Sequence, residues 1–416
     1  MVKETGRETG PKNGLNPSWI VVGAGVSVAL HVGKLPPAVA ALQRELGISL
    51  VQAGFLLSTV QVAGMLLGLA VGLGADRWGL RRSMLWGLAL VGLSSMLGAA
   101  ATGFGGLLGL RALEGLGFLL VAMPGPGLIR RHVAARELSA RMGWWGTYMP
   151  LGSALGLLLG PWVLQAASWQ SWWLLLGAVS LCAALAVWRG VPADPRAGGE
   201  PAHAGAGVGW RPRLALTLRS PGPWLVALSF AVYSGQWMGV IGFLPTMYAQ
   251  AGMGTRLAGM LTALVAAANM VGNIASGRLL QRGWPVRRSL QTGFVLMGLS
   301  ALLAYVQFDG QPLAPLWLRF TAVMVFSAAG GLIPGTLFTS AVHLAPSQNT
   351  VSTTVGFMQQ WSCVGQFAGP PAVAAVATLM GGWQWTWAVT GLMCAAGWLL
   401  ALGVQRIWLM RSAPAP

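Results

Sequence analysis

Residues 72–84 read Gly-Leu-Gly-Ala-Asp-Arg-Trp-Gly-Leu-Arg-Arg-Ser-Met, and residues 277–290 read Gly-Arg-Leu-Leu-Gln-Arg-Gly-Trp-Pro-Val-Arg-Arg-Ser-Leu. The two stretches match with one insertion. Shorter pairs repeat at a similar separation: Leu110-Arg111 with Leu318-Arg319, Pro124-Gly125 with Pro334-Gly335, and Gly156-x-x-x-Gly160-Pro161 with Gly365-x-x-x-Gly369-Pro370. The sequence therefore predicts one structural unit that occurs twice.

The composition predicts that most of the surface faces lipid. Hydrophobic residues make up 55% of the 416 residues and charged residues only 8%, whereas soluble domains average about 25% charged residues. A spanning helix needs about 20 mostly apolar residues. Twelve runs of this kind lie near 18–42, 50–75, 83–102, 104–128, 142–167, 169–188, 222–248, 257–279, 287–307, 314–340, 350–378 and 383–407. We therefore expect an all-α membrane protein with twelve transmembrane helices in two pseudo-symmetric six-helix bundles.

The expected bundles are residues 1–188 and 222–416. The proline-, glycine- and arginine-rich stretch 189–221 separates them as a linker, with a short basic helix near Trp210–Arg219 on the membrane surface. If the N-terminus is cytoplasmic, 21 of the 26 Lys and Arg residues fall on that side. This asymmetry predicts two cytoplasmic termini, and it accounts for the net charge of +17 without a nucleic-acid partner.

The repeated loop resembles the signature between helices two and three of the major facilitator superfamily. That resemblance implies the twelve-helix fold, secondary transport by alternating access, and a bacterial inner-membrane location. In the family this loop is a cytoplasmic gate, whose aspartate lies against the start of helix eleven. The matching residues here are Gly72, Asp76, Arg77, Gly79, Arg81 and Arg82. Gln281 replaces the aspartate in the second copy, so we expect the contact on one side only.

Two further patterns bear on coupling. Arg111-x-x-Glu114 in helix four resembles a family pattern linked to proton coupling, and residues at i and i+3 share a helix face. We expect protons to act through Glu114, with His31 as a second candidate. Gly156-x-x-x-Gly160-Pro161 resembles the antiporter motif in part, but Leu164 and Gln165 stand where its glycine pair is expected. The same glycine spacing also serves close helix packing.

Ionisable residues inside spans are costly and often functional. In the family that this sequence resembles, helices one, four, seven and ten line the cavity. Lys34, Arg111 and Arg319 lie on three of these helices. Three cations against one carboxylate, Glu114, favour an anionic solute. The alternative is that Lys34 reaches outward to the membrane surface and the arginines only join helices. The substrate-binding candidates are His31, Lys34, Arg111, Gln236, Trp237, Asn269, Asn273, Arg319, Gln359, Gln360 and Trp361.

Other function classes find little support. The sequence contains no zinc-binding histidine pair, nucleophile elbow or phosphate-binding loop, which disfavours an enzyme or an ATP-driven pump. We expect no cofactor, no metal site and a monomer. Gly33–Pro37 and Gln52–Gly54 resemble uptake-type members related to cyanate and nitrate-like permeases, which favours anion transport. Efflux of a drug or siderophore-like compound, and a solute sensor that does not transport, remain open alternatives.

Overall fold

The computed structural model describes residues 16–134, 137, 141, 144–194, 210–308, 310–347 and 350–412, without the side chains of 71–78, 352 and 412. These described residues form twelve long helical segments, here called spans 1 to 12. In order they are Pro17–Leu46, Leu50–Trp78, Leu80–Gly98, Phe104–His132, Tyr148–Ala166, Trp169–Gly190, Pro221–Gln250, Thr255–Gln281, Val286–Tyr305, Leu316–Leu344, Val351–Leu379 and Trp383–Arg411. Outside them are the helix Trp210–Arg219 and a hairpin that pairs Gln307–Phe308 with Gln311–Pro312.

Ten of these segments in the described chain are long and apolar enough to cross a membrane. The other two are span 3 and span 9, which have 19 and 20 residues. Each begins with a pair of arginines, Arg81 and Arg82 or Arg287 and Arg288, which lowers its mean hydropathy. Both pack among the other spans as full members of the bundle. The expected all-α fold with twelve spans is confirmed.

Three spans contain a short 3₁₀ turn. The turn Pro36–Ala38 interrupts span 1, Thr59–Gln61 interrupts span 2, and Trp383–Trp385 opens span 12. Proline lacks the N–H that an α-helix needs, which explains the break after Lys34. The predicted helix at Trp210–Arg219 is present, and its location on a membrane surface stays a prediction.

The distribution of side chains is the reverse of that in a soluble protein. Large apolar groups point outward, with Trp86 73% exposed and Leu392 75% exposed, while Lys34 and Arg111 are fully buried. Large apolar groups exposed in this number, around a charged interior, fit a surface that faces lipid.

The two halves, residues 16–194 and 210–412 of the described chain, pack by the same scheme. Span 1 packs on spans 5 and 6 as span 7 packs on spans 11 and 12, and span 3 contacts spans 4 and 6 as span 9 contacts spans 10 and 12. The repeated glycines lie at two of these crossings. A Cβ at Gly156 would lie 2.9 Å from the carbonyl carbon of Gly33, and one at Gly369 would lie 3.0 Å from Gly235 Cα. Close packing therefore accounts for the glycine motif.

Replacing Gly33 with Ala is expected to destabilise the first half. A Cβ there would lie 2.9 Å from Ser153 Cα, and overpacking of this kind costs about 1–3 kcal/mol. Gly23 in the same span has open space around its Cα, so Gly23→Ala should leave stability unchanged or raise it. Thermal unfolding of the purified variants in detergent compares them. An equal loss of stability in the two variants would contradict the close packing of span 1 on span 5 at Gly33.

The most extensive contacts between the halves join span 2 with span 11 and span 5 with span 8, and span 7 also packs on the turn of span 1. We call the side that holds Pro17 and Arg411 the terminal side, and the opposite side the distal side. On the distal side Gly259 packs against Pro161, and the Arg256 guanidinium lies 4.2 Å from the ring centroid of Trp162. Nearer the middle, Gln61 donates to Gln366 at 3.1 Å. These contacts hold the halves together from the distal side inward.

Candidate functional site

Four ionisable side chains meet inside the first half and form what we call the charged cluster: His31, Lys34, Arg111 and Glu114. Span 1 supplies the first two and span 4 the last two, and each pair is spaced i, i+3, which puts both members on one helix face. No member is more than 1% exposed. Burial of this degree is tolerated only where charges pair and hydrogen-bond.

Glu114 bridges the two cations. Its Oε1 lies 2.5 Å from Lys34 Nζ, and its Oε2 lies 2.5 Å from Arg111 Nη1. The expected Arg111–Glu114 pair is therefore present. Lys34 is a second partner of the carboxylate, which the spacing along the sequence did not predict.

The Lys34 ammonium uses all three of its donors within the first half. Besides Glu114 it contacts Ser95 Oγ at 2.9 Å and His31 Nδ1 at 3.3 Å, and it lies 4.5 Å from the ring centroid of Trp173. The alternative in which Lys34 reaches outward to the membrane surface is wrong. The side chain points instead between spans 3, 4 and 6.

These contacts fix the protonation pattern of the imidazole. An ammonium group only donates hydrogen bonds, so Nδ1 of His31 is the acceptor in its contact with Lys34. The proton of the neutral ring then sits on Nε2, which donates to Ser180 Oγ at 2.9 Å. Nδ1 also lies 3.8 Å from Glu114 Oε2. A proton that reaches the cluster thus has the carboxylate as its acceptor, and Nδ1 becomes a second acceptor only when it loses its contact with Lys34.

Arg111 joins three spans and leaves the two N–H donors of its Nη2 unused. Its Nη1 donates to the His31 carbonyl at 2.9 Å, and its Nε donates to the Leu56 carbonyl at 3.3 Å. Its Nη2 is buried without an acceptor among the residues that the structure describes. With neutral His31 the cluster holds two cations and one carboxylate, so it carries a net charge of +1 and a spare donor group, Nη2 of Arg111.

A neutral network lies in the second half. Asn269 Nδ2 contacts both Tyr233 Oη and the Ser327 carbonyl at 2.9 Å, and Asn273 Nδ2 donates to Asn269 Oδ1 at 2.9 Å. Trp237 Nε1 donates to Ser327 Oγ at 3.1 Å. Three of the predicted residues are therefore brought together, on spans 7 and 8, with span 10 as their anchor.

The other predicted residues lie apart from both groups. Gln236 accepts from Cys394 at 3.1 Å, Gln360 donates to the Met65 carbonyl at 2.7 Å, and Trp361 packs on Trp224. Gln359 is half-buried on span 11.

Arg319 does not join the charged cluster. Its Nε donates to the Ala304 carbonyl at 2.8 Å, and no hydrogen bond or ion pair among the described residues links it to Lys34 or Arg111. The expected group of three cations at one site is thus reduced to two. The described part of the chain also holds no group of three or more His, Cys, Asp or Glu residues arranged to bind a metal ion.

The repeated loop is tied to the start of the linker. Asp194 accepts from the backbone N–H groups of Arg81 at 3.1 Å and Arg82 at 3.0 Å, and it pairs with Arg131 at 3.2 Å. A carboxylate at a helix N-terminus satisfies free N–H groups and interacts favourably with the helix dipole. Gly79 has φ of 90° and makes room for the carboxylate, since a Cβ there would lie 2.5 Å from Asp194 Oδ2. All these contacts stay within the first half.

Part of the predicted gate lies outside the described residues. Gly72, Asp76 and Arg77 lie in the stretch 71–78, whose side chains lie outside the described residues. Asp194 is a residue that the sequence analysis missed. The available signal was its charge, since the chain has only nine Asp and Glu residues against 26 Lys and Arg, and an isolated carboxylate on a basic side has many partners.

The sequence profile of the Major Facilitator Superfamily matches residues 21–370 and 226–415. The chain belongs to this superfamily. The crystal structure of a bacterial homolog to the human lysosomal transporter Spinster, inward-facing and unoccupied, superposes with a TM-score of 0.79 at 16% identity, covering 98% of this chain and all of that one. The superposition shows that the two proteins share a fold.

Curated relatives differ in what their names describe. The chain is 27% identical to Monocarboxylate transporter 11 of Mus musculus over 83% of its own length and 76% of the relative. It is 25% identical to the Cyanate transport protein CynX of Escherichia coli (strain K12), over 77% and 79%. It is 24% identical to the Methylenomycin A resistance protein of Bacillus subtilis (strain 168), over 88% and 87%. The chain is thus a membrane-spanning transporter of this superfamily.

Proposed function

We propose that this transporter carries a small monovalent anion, a monocarboxylate or an anion of similar size, by alternating access with protons as the coupling ion. The observation that supports this most directly is the net positive charge of the buried cluster, together with the unused donor on Arg111. An uncompensated buried cation is costly, and an anion of unit charge would remove that cost. Two of the curated relatives are named for anions of this class.

The cluster offers a direct route to coupling. While Glu114 is ionised it occupies Lys34 and Arg111 and competes with any anionic solute. A proton on Glu114 cancels that charge and leaves both cations to the solute. Loss of the proton returns the carboxylate to the cations and expels the solute. Protonation and anion binding therefore favour each other, which is symport.

Movement of the two halves completes the proposed cycle. Residues 1–188 and 222–416 would rock against each other about the seams between spans 2 and 11 and between spans 5 and 8. The distal contacts then represent one closed side of the cycle. We further propose a monomer in a bacterial inner membrane with both termini cytoplasmic, as the distribution of Lys and Arg favours.

Lys34→Met is expected to lower the uptake of a labelled monocarboxylate about 10- to 100-fold, because a hydrogen bond to a charged group contributes about 1.5–3 kcal/mol. Uptake is measured as counterflow of [¹⁴C]lactate into proteoliposomes, with protein-free liposomes subtracted for leak. Arg319→Met is the matched control, since it removes a cation from a span outside the charged cluster. Both variants need the thermal stability of the parent for the comparison to hold.

Three results would overturn the proposal in different ways. If Lys34→Met and Arg319→Met lost the same amount of uptake, the charged cluster would not be part of the solute site. Uptake of lipophilic cations or neutral drugs, with no carboxylate or inorganic anion competing, would favour drug efflux. Carboxylate binding in detergent without any counterflow would favour the sensor alternative.

A further inference from the structure

Six apolar side chains from five spans meet beside the charged cluster. This apolar cluster consists of Val32, Val60, Phe118, Met149, Trp237 and Met238. Val32 is next to His31 in span 1, and Phe118 lies one helical turn after Glu114 in span 4. Since span 4 runs towards the terminal side, Phe118 lies on the terminal side of the charges, while Val32 lies at their level, between His31 and Lys34 along span 1. The apolar cluster thus borders the charged cluster, at its own level on span 1 and on its terminal side on span 4.

The second half contributes the largest member, Trp237, and holds it in place. Its indole Nε1 donates to Ser327 Oγ at 3.1 Å. Ser327 is fully buried, and its carbonyl accepts from Asn269, which also contacts Tyr233. The indole is therefore fixed by a chain of hydrogen bonds across spans 7, 8 and 10, and its one polar atom already has a partner. The face it shares with Val32 and Val60 is apolar.

We infer that Trp237 sets the length of the solute, and that the solute is a short-chain monocarboxylate rather than an inorganic anion. This inference rests on the proposed function. The carboxylate of such a solute interacts with Arg111 and Lys34, while its alkyl chain packs in the apolar cluster and ends against the indole. An inorganic anion has no apolar part and gains nothing from these six side chains. A longer acid clashes with an indole that its hydrogen bond keeps from moving.

The test is the affinity of purified protein in detergent for the sodium salts of the unbranched acids from acetate to hexanoate, measured by calorimetry. Binding in solution avoids the leak of short acids through liposomes. One methylene in an apolar pocket changes discrimination by about tenfold or more. For Trp237→Ala we expect the ratio of hexanoate to acetate affinity to rise at least about tenfold over the parent. Trp237→Phe should lie between the two.

Two further variants separate a size limit from a general structural role. Ser327→Ala frees the indole and should shift the ratio in the same direction by a smaller factor. Trp361→Ala is the matched control, because this second mid-span tryptophan packs on Trp224 and Phe357 instead of the apolar cluster. It should leave the ratio unchanged.

The outcomes are distinct. A raised ratio in Trp237→Ala and an unchanged ratio in Trp361→Ala support the inference. A parallel loss of affinity for all acids in Trp237→Ala would overturn it while the proposed function stands. A parent protein that binds cyanate but no carboxylate would also overturn it and leave anion transport intact. A parent that binds no anion would remove the proposed function as well.

Discussion

Glu114→Gln is expected to lower the free energy of unfolding by about 3–5 kcal/mol, the usual cost of removing one partner from a buried ion pair. The amide keeps the size of the side chain but leaves Lys34 and Arg111 without a counter-charge, and both are fully buried. The same variant should lose proton-driven uptake, because the proposed proton acceptor is gone. Thermal and denaturant unfolding in detergent measure the first effect, and uptake under an imposed pH gradient measures the second.

The double variant Lys34→Met/Glu114→Gln provides the internal check. It removes one of the two orphaned cations, so it should be less destabilised than the sum of the single variants. Glu45→Gln is the matched control, because Glu45 is an exposed carboxylate whose Oε2 accepts from Trp169 at 2.8 Å. Its expected cost is about 1 kcal/mol. Additive losses in the double variant would mean that Lys34 and Glu114 do not interact as described.

The positions of the spans could be predicted from the sequence, but the directions in which the buried charged side chains point could not. Apolar runs of sufficient length decide where a helix crosses the membrane, and ten of the twelve segments meet that criterion within the described chain. The part of span 1 that precedes Lys34, Pro17–Gly33, has no distinct polar face, however, so its periodicity does not show which face Lys34 occupies. That face is decided by Ser95 on span 3 and Trp173 on span 6, which only the packing brings to the ammonium.

The repeat explains why Arg319 does not lie with Lys34 and Arg111, as the sequence analysis expected. Arg319 matches Arg111 in the duplicated pattern, but Ala322 stands where the pattern places Glu114. Without a carboxylate one turn away, the guanidinium bonds to the Ala304 carbonyl. Duplication thus conserves the helix packing, including the glycine crossings, while the charged cluster belongs to the first half.

Asp194 shows a different limit. It lies in a proline-bounded turn at the start of the predicted linker, where composition indicates a connection and little else. Its contacts to Arg81, Arg82 and Arg131 depend on span 6 ending beside the loop between spans 2 and 3. Proximity of this kind follows from tertiary packing and is not encoded in local spacing.

Gly64→Cys is expected to allow an oxidant to stop transport completely and reversibly. A Cβ at Gly64 in span 2 would lie 3.3 Å from Cys363 Cβ and 2.5 Å from Cys363 Sγ in span 11. Disulfides join Cβ atoms about 3.5–4.5 Å apart, so a small adjustment permits the bond. The new disulfide would connect the first half to the second at the seam where the proposed rocking occurs. Counterflow should fall to the level of protein-free liposomes after oxidation and return after reduction.

The controls separate the cross-link from the substitution. Gly64→Ser adds a side chain of similar size without a thiol, and Gly64→Cys/Cys363→Ser keeps the new thiol but removes its partner. Neither should respond to oxidant. A protease site inserted at residues 203–204 reports the bond itself, since the cleaved halves stay together on a non-reducing gel only when they are cross-linked. Complete cross-linking with undiminished counterflow would show that the halves need not separate at this seam, and rocking about it would then be wrong. If no cross-link formed, the described packing of span 2 on span 11 at Gly64 and Cys363 would be wrong.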